Sequence, residues 1–159
     1  MSAALSEDFE IYQLLYCSLA SEPLSILHMA QLLDNACRLN KMDHITGLLM
    51  VHDGIYVQWL EGPTLAVTEL WARLRRDKRH HCVVKLLENR EAEERSCPDW
   101  SMRKLTRDEL LAIVRDADKE NRALQNAWGS AVHVLRELLE QPDTHHYITA
   151  KHMQQSSEA

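Results

Sequence analysis

The chain has 159 residues, 26% of them charged, and a formal net charge of −6. This length allows one domain with a proper core and a short extension. A negative net charge gives no general attraction for phosphate backbones, so nucleic acid is not a predicted partner. No run of about 18 apolar residues is present, so no membrane span is predicted.

The first ten residues are acidic where a signal peptide would carry a basic region and an apolar one, so we expect a cytoplasmic protein. The cysteines are widely spaced and form no C-x-x-C pair, which predicts free thiols, with disulfides or a zinc site as the lesser alternatives. They are Cys17, Cys37, Cys82 and Cys97. The histidines include two adjacent pairs, whose side chains would point to opposite faces of a strand, so we predict no metal site.

The chain begins its regular structure with a predicted strand over residues 9–18, where alternation places Tyr12, Leu14 and Tyr16 on one face. After Pro23, apolar residues recur three and four positions apart. This spacing predicts an amphipathic helix that begins after Ser25, a good N-cap residue, and ends between residues 38 and 41.

The next two strands are predicted over residues 44–51 and 55–61, joined by a hairpin turn at Asp53-Gly54. The second of them contains one polar residue, Gln58, among apolar ones. Gln58 shares one predicted strand face with Tyr56 and Leu60, and both faces are otherwise largely apolar. An unpaired buried amide costs about 1–3 kcal/mol, so Gln58 must have a bonding partner.

A second helix is predicted from residue 64, followed by a strand over residues 82–88 and a short fifth strand over 99–103. The order β-α-β-β-α-β with one extra strand is an α+β, ferredoxin-like sandwich. In it we expect the first and third strands to be parallel neighbours at the centre of the sheet, with both helices covering one face.

Beyond residue 105 the pattern is helical. A capping box at Thr106 and Glu109 opens one predicted helix, and a second is predicted over residues 118–140, before Pro142. We expect this pair to pack on the bare face of the sheet or to form a subunit interface. The predicted organisation is a domain over 9–105, a helical extension over 106–142, and a poorly ordered tail over 143–159.

Three polar residues are expected to meet above the two central strands: Tyr16, Gln58 and Asn40, the last near the end of the first helix. None of them titrates near neutral pH, which disfavours hydrolysis. They suit a ligand edge that offers both donors and acceptors, and a tyrosine can also donate an electron.

Taken one at a time, these residues fit ordinary structural roles. Tyr16 could be a core tyrosine, Gln58 a sheet residue paired to a neighbour, and Asn40 a helix terminator. Trp100 and Met102, two positions apart on the predicted fifth strand, could fill the core. The Arg79-His80 pair could be a solvated turn.

Together, however, the motifs from about residue 10 to residue 105 resemble the BLUF family of flavin-binding blue-light sensors. Any one of them is weak, but their order and spacing are specific. They are Tyr16-Cys-Ser18, Asn40 ahead of Ile45-Thr-Gly-Leu-Leu49, Val57-Gln-Trp-Leu-Glu-Gly62, Arg76-Asp-Lys-Arg-His80 and Trp100-Ser-Met102.

The resemblance implies a noncovalent FAD whose isoalloxazine ring lies between the two helices. Asn40 would bond the polar edge of the ring, and Gln58 would bridge Tyr16 to the flavin near N5 and the C4 carbonyl. In the family, light drives electron and proton transfer from the tyrosine to the flavin, and the glutamine is left in a changed orientation or tautomer. The absorption spectrum then shifts slightly to the red without a covalent adduct.

The resemblance also suggests roles around this pair. Trp100 and Met102 match residues that respond as the signal leaves the pocket, and Arg79 and His80 match residues that line the flavin and its ribityl-phosphate side. One departure is Leu39, where several family members carry an Asn or His that can contact the ring. This departure removes one expected flavin hydrogen bond.

The predicted function is a small stand-alone photosensor without an enzymatic domain. Its output would be a contact with a protein partner or a change in a homo-oligomer, made through the fifth strand and the C-terminal helices. Two alternatives remain: a flavin-binding redox protein that reacts with a substrate or reductant, and a ferredoxin-like interaction module that has lost its flavin.

Overall fold

The computed structural model describes residues 10–23, 25–119 and 127–157. Its strands are β1 (Ile11–Ala20), β2 (Thr46–His52), β3 (Ile55–Pro63), β4 (His80–Ala92) and β5 (Arg103–Leu105). Its helices are α1 (Ile26–Met42), α2 (Thr64–Arg76), α3 (Arg107–Lys119), α4 (Ala127–Leu139) and α5 (Thr144–Ser157). Within these residues, none of the helices has the length and apolar character needed to cross a membrane.

The sheet has the strand order β4-β1-β3-β2-β5, so β1 and β3 lie at its centre as predicted. They run antiparallel, however, and the predicted parallel pairing is wrong. The reason is topological. The crossover through α1 favours parallel β1 and β2, and β3 returns from β2 through a tight hairpin, which places it antiparallel to both of its neighbours.

Several local sequence signals have the structures they predicted. Asp53 and Gly54 both adopt positive φ angles, 49° and 72°, as the hairpin turn requires. Ser25 caps α1 by accepting a hydrogen bond from the His28 amide at 3.2 Å. The Thr106–Glu109 capping box forms in both directions, with each bond 3.1 Å long.

The alternation of the central strands divides the core into two layers, one on each face of the sheet. Tyr16, Tyr56 and Leu60 pack in one layer with residues of α1 and α2. Cys17, Val57 and Trp59, from the same strands, pack in the other layer with α3, α4 and α5. The predicted face assignments are therefore confirmed, and the C-terminal helices cover the bare face of the sheet.

The C-terminal part differs from its prediction in two respects. α3 continues to Lys119, beyond the predicted start of the following helix at residue 118, and residues 120–126 of that predicted helix lie outside the described part of the chain. The predicted disordered tail instead contains α5, whose Ile148 is buried in the second layer. The weak amphipathic pattern of α5 explains why its sequence did not indicate a helix.

The fifth strand lies later than predicted, over Arg103–Leu105, and pairs with β2 in parallel. Trp100 and Met102 precede it. The two-residue strand period therefore does not apply to them, and the two side chains lie in different layers: Met102 with Tyr16, and Trp100 with the layer under the C-terminal helices.

Candidate functional site

Tyr16 on β1 and Gln58 on β3 are direct cross-strand partners. Both side chains are buried, with exposed fractions of 3% and 6%. The Tyr16 hydroxyl donates a short hydrogen bond to Gln58 Oε1. The partner that the buried amide requires is thus the tyrosine of the neighbouring strand, as predicted.

The other end of the Gln58 amide faces Met102. Gln58 Nε2 donates to Met102 Sδ at 3.3 Å, and Met102 is itself buried. A thioether sulfur can accept a hydrogen bond but cannot donate one. The Tyr16 donor at one end and the Met102 acceptor at the other therefore favour the same orientation of the amide. Turning the amide over would lose the bond to Met102 and would require the Tyr16 hydroxyl to accept instead of donate.

Tyr16 lies in an aromatic, apolar environment. The Trp71 ring of α2 is tilted against it with a centroid distance of 5.2 Å, and the His80 ring meets it edge-on at 6.3 Å. Burial raises the pKa of Tyr16 well above its ordinary value. The phenol therefore keeps its proton throughout the neutral range and acts as a hydrogen-bond donor.

Asn40 is the buried residue of α1, with 4% of its surface exposed. Its backbone carbonyl accepts from the Ile45 amide at 2.7 Å. Its side-chain amide makes no hydrogen bond within the described part of the chain. Asn40 is thus almost enclosed while its amide makes no bond to the described protein, and such an amide is suited to a ligand with polar edge atoms.

His80 and Arg79 lie at the junction of α2 and β4. His80 Nε2 lies 2.5 Å from the Leu74 carbonyl oxygen, and Nδ1 lies 2.8 Å from Ser18 Oγ. Because a carbonyl only accepts, Nε2 carries a hydrogen, and in the neutral ring Nδ1 then accepts from the serine hydroxyl. Both ring nitrogens are thus engaged by protein, and only the ring faces and edges remain for contact with a ligand.

Arg79 is mostly exposed and is held by Asp77, with a shortest contact of 2.6 Å. The hydrogen bond from Arg79 lowers the pKa of Asp77. The guanidinium nonetheless has open surface toward solvent. The structure therefore brings Tyr16, Gln58 and Met102 into one bonded chain, and leaves Arg79 at the rim.

Two residues near this chain were not singled out from the sequence as site residues. Trp71 lies on α2, and its contact with Tyr16 depends on how α2 crosses β1. Glu61 is completely buried on β3, on the opposite face from Gln58. Its strand position was visible in the sequence, but its burial depends on a loop that folds back from residues far along the chain.

The residues above the sheet fit a flavin. An isoalloxazine ring has apolar faces and a polar edge that both donates and accepts. α1 offers half-buried apolar side chains, among them Leu32, Leu33 and Cys37, and these pack toward the Tyr16 layer. Asn40 and Gln58 add two amides, which can match either polarity on the ring edge.

A family model described as "BLUF: Sensors of blue-light using FAD" matches residues 11–103, which is more than half of the chain. The chain belongs to the BLUF family. It is 36% identical over 112 residues to the photoactivated adenylate cyclase subunit beta of Euglena gracilis. That alignment covers 70% of this chain and 13% of the relative, so the chain spans only a small part of the cyclase subunit.

Solved BLUF structures have the same fold. The dark state of the BLUF protein BlrB is 28% identical, with a TM-score of 0.63, and the match covers 79% of this chain and 92% of that one. Klebsiella pneumoniae BlrP1 with FMN and cyclic diGMP is 26% identical, with a TM-score of 0.58, and the match covers 67% of this chain and 30% of that one. The predicted family, α+β fold and blue-light sensing function are confirmed, and as a BLUF protein the chain binds flavin.

Proposed function

We propose that this BLUF protein binds FAD between α1 and α2 and converts blue light into a rearrangement of the Tyr16–Gln58–Met102 chain. The observation that carries this proposal is the Gln58 amide, which is held at one end by a donor and at the other by an acceptor. A buried group with two alternative bonding patterns can act as a two-state element when an outside event changes which pattern is favoured.

A bound flavin would supply blue-light absorption and, once excited, an electron acceptor. Tyr16 would then donate one electron and pass its phenolic proton toward Gln58 Oε1. The electron and proton later return to Tyr16, so no net oxidation remains. What persists is a Gln58 amide with a changed orientation or tautomer, and rebonding one buried amide is worth about 1 kcal/mol, enough to bias a two-state element.

Asn40 would hold the polar edge of the ring, since its buried amide has no protein partner among the described residues. His80 would contribute ring contacts, because its nitrogens are already engaged. The exposed guanidinium of Arg79 would lie beside the ribityl-phosphate part of the flavin, at the edge of the site. FAD is the proposed flavin. Denaturing the purified protein and identifying the released flavin by mass would distinguish it from FMN, the flavin named in the BlrP1 structure.

The output is proposed to be a protein contact or a change in oligomeric state, with no catalytic activity in this chain. Residues 9–105 would form the photosensory unit. The helices that follow cover the other face of the sheet, where Trp100 also packs, so movement near Met102 has a short route to them. All four cysteines are free thiols, which supports a reducing compartment such as the cytoplasm.

The deciding experiment is an absorption spectrum of the purified, flavin-loaded protein before and after blue light. We expect a small red shift that decays in the dark. An oxidised flavin band that never shifts would refute the proposed photochemistry. Bleaching of that band by NAD(P)H in the dark would instead indicate a redox protein.

A further inference from the structure

Glu61 is a completely buried carboxylate on β3, three residues after Gln58 and on the opposite face of the sheet. Five hydrogen-bond donors point at its two oxygens. They are Gln13 Nε2 at 3.0 Å, Trp59 Nε1 at 3.2 Å and the Ser96 amide at 2.8 Å, all to Oε2, and Thr46 Oγ1 at 3.3 Å and the Cys97 amide at 2.5 Å, both to Oε1.

Because donors face both Glu61 oxygens, each of the two oxygens must accept hydrogen bonds. An ionised carboxylate accepts at each one and has no hydrogen to place against a donor. A carboxamide in the same position would turn its NH₂ group toward one of the two backbone amides, of Ser96 or Cys97. It could therefore keep only one of those bonds, and Glu61 is not replaceable by glutamine without a change at the loop.

The two backbone donors belong to the segment that leads to Met102. Other bonds also hold this segment and Arg95 just before it. Among them, Arg95 Nη2 donates to the His44 carbonyl at 2.6 Å, the Gly47 amide to the Trp100 carbonyl at 2.7 Å, and Cys37 Sγ to the Met102 carbonyl at 3.4 Å. At Gly47 a Cβ would overlap the Trp59 carbonyl oxygen, so β2 and β3 approach closely here.

We propose that Glu61 is a positioning residue that anchors the 96–102 segment to β3, and so holds Met102 Sδ where it accepts from Gln58 Nε2. The carboxylate touches neither Gln58 nor Tyr16. It acts by holding the 96–102 segment. The held segment keeps Met102 in place, and Met102 favours the orientation that the Gln58 amide has in the dark. This inference rests on the proposed photochemistry for its light-dependent part, and on the geometry alone for the anchoring part.

The anchoring part can be tested in the dark by amide hydrogen exchange. In Glu61→Gln, exchange should accelerate by at least about tenfold at whichever of the Ser96 and Cys97 amides faces the new NH₂ group, because its hydrogen bond to a charged group is lost. Glu88→Gln is the matched control, since the Glu88 carboxylate bonds Tyr12 and Lys85 instead of this segment. Unchanged exchange at both amides in Glu61→Gln would overturn the proposal.

The light-dependent part is tested by the dark recovery of the red-shifted state in Glu61→Gln, Met102→Leu and the double variant. Leucine keeps much of the methionine volume but cannot accept from Gln58. We expect each single variant to slow recovery severalfold, and the double variant to recover like Met102→Leu alone, since the anchor has nothing left to position. Effects that multiply in the double variant would overturn the proposal, because a general structural loss is independent of Met102.

A second variant covers the case in which Glu61→Gln does not fold. Gln13→Leu keeps the carboxylate but removes a bond to it, together with three weaker contacts of the Gln13 amide: to the Glu94 carbonyl at 3.3 Å, to Ser96 Oγ at 3.4 Å and to Asn89 Nδ2 at 3.4 Å. It should slow recovery less, and that effect should also vanish beside Met102→Leu. If Gln13→Leu still slows recovery when Met102→Leu is also present, the proposal fails. If the wild-type protein shows no red shift, the proposed function fails, and the exchange experiment still decides whether Glu61 anchors the segment.

Discussion

The two faces of the sheet are built differently although the same central strands supply both. On the face under α3, α4 and α5, the side chains beneath the helices form an apolar core, and α4 alone buries Ala131, Val132, Leu135, Leu138 and Leu139. This face also buries Glu61 and Gln13, which bond each other and so hold fixed positions beside the apolar core. On the face under α1 and α2, a phenol and two amides are buried among the apolar groups, and Asn40 is the buried residue of α1.

One face of the sheet therefore mainly stabilises the fold, while the other holds the polar groups of the proposed photochemistry. Burying apolar side chains stabilises the fold without regard to their detailed orientation. A buried amide instead has distinct bonding states, and which state it takes depends on its neighbours. Neighbouring positions on one strand should therefore give opposite phenotypes when they are substituted.

The largest expected effect is on the face of the sheet under α1 and α2, which carries Tyr16, Gln58 and Asn40 and which we call the chemical face. Tyr16→Phe and Gln58→Leu should each retain flavin but lose the light-induced red shift entirely, because one removes the electron and proton donor and the other removes the switching amide. Difference absorption spectra after blue light measure this.

Tyr12→Phe is the matched control for that pair. Tyr12 lies on the same strand face as Tyr16, but its hydroxyl donates to Glu88 at 2.5 Å. The control should keep the shift. A normal photocycle in either Tyr16→Phe or Gln58→Leu would show that the assigned roles are wrong.

Adjacent leucines on β2 sharpen the comparison further. Leu48 is buried in the layer under the C-terminal helices, and Leu49 in the Tyr16 layer opposite Gln58. Leu48→Ala should lower the free energy of unfolding by about 2–5 kcal/mol with the light–dark difference spectrum unchanged. Leu49→Ala should also weaken flavin binding or displace its absorption maximum.

Denaturant unfolding of the flavin-free proteins, beside flavin titrations, separates these two outcomes. The comparison fails if Leu48→Ala alters the spectrum while Leu49→Ala leaves it intact.

Strand alternation and the order of elements are local signals, and they predict that Tyr16 and Gln58 lie on one face of the two central strands; the bond between them is implied only by the family resemblance. The relative direction of β1 and β3 was predicted wrongly, since it depends on applying crossover and hairpin geometry to the whole sheet. Trp100 and Met102 were placed on one strand face, but β5 begins only at Arg103, and a short edge strand has little pattern of its own. Local patterns cannot locate such a boundary.

Glu61 shows the limit most clearly. Its sequence neighbourhood indicates a strand residue, and strand carboxylates are mostly exposed. Only the return of Ser96 and Cys97, more than thirty positions along the chain, supplies the backbone donors that make its burial favourable. Contacts of this kind arise from tertiary structure, which a single sequence does not display.

The pH dependence of stability should also report on the chemical face. Burial raises the pKa of Tyr16 above its value of about 10 in an unfolded chain, so its contribution is fully present below about pH 10 and is lost as the pH rises further. In Tyr16→Phe, the fall of unfolding free energy above about pH 10 should be less steep, by up to about 1.4 kcal/mol per pH unit.

Other groups contribute to the same alkaline fall, since burial raises the pKa of Tyr12 and of Cys17 to about 12. Leu48→Ala therefore serves as the reference, because it should lower the whole stability curve in parallel without changing its slope. Equal slopes in Tyr16→Phe and the wild type, measured by denaturant unfolding at several pH values, would contradict a buried neutral phenol.

The smallest expected effect concerns Asn40, where the two roles of a buried polar residue can be separated. If its amide served the fold, Asn40→Ala would lower stability by the amount of a lost protein hydrogen bond, about 0.5–1.5 kcal/mol.

The Asn40 side chain has no such bond within the described residues, and its backbone bond to Ile45 survives the substitution. We therefore expect the unfolding free energy of the flavin-free protein to change little, and the flavin dissociation constant to rise by about two- to tenfold. Asn35→Ala on the exposed side of α1, where the amide oxygen accepts from Arg38 at 3.4 Å, should change neither quantity. A loss of stability without loss of flavin affinity in Asn40→Ala would assign the residue to the fold, and the chemical face would then reduce to Tyr16, Gln58 and Met102.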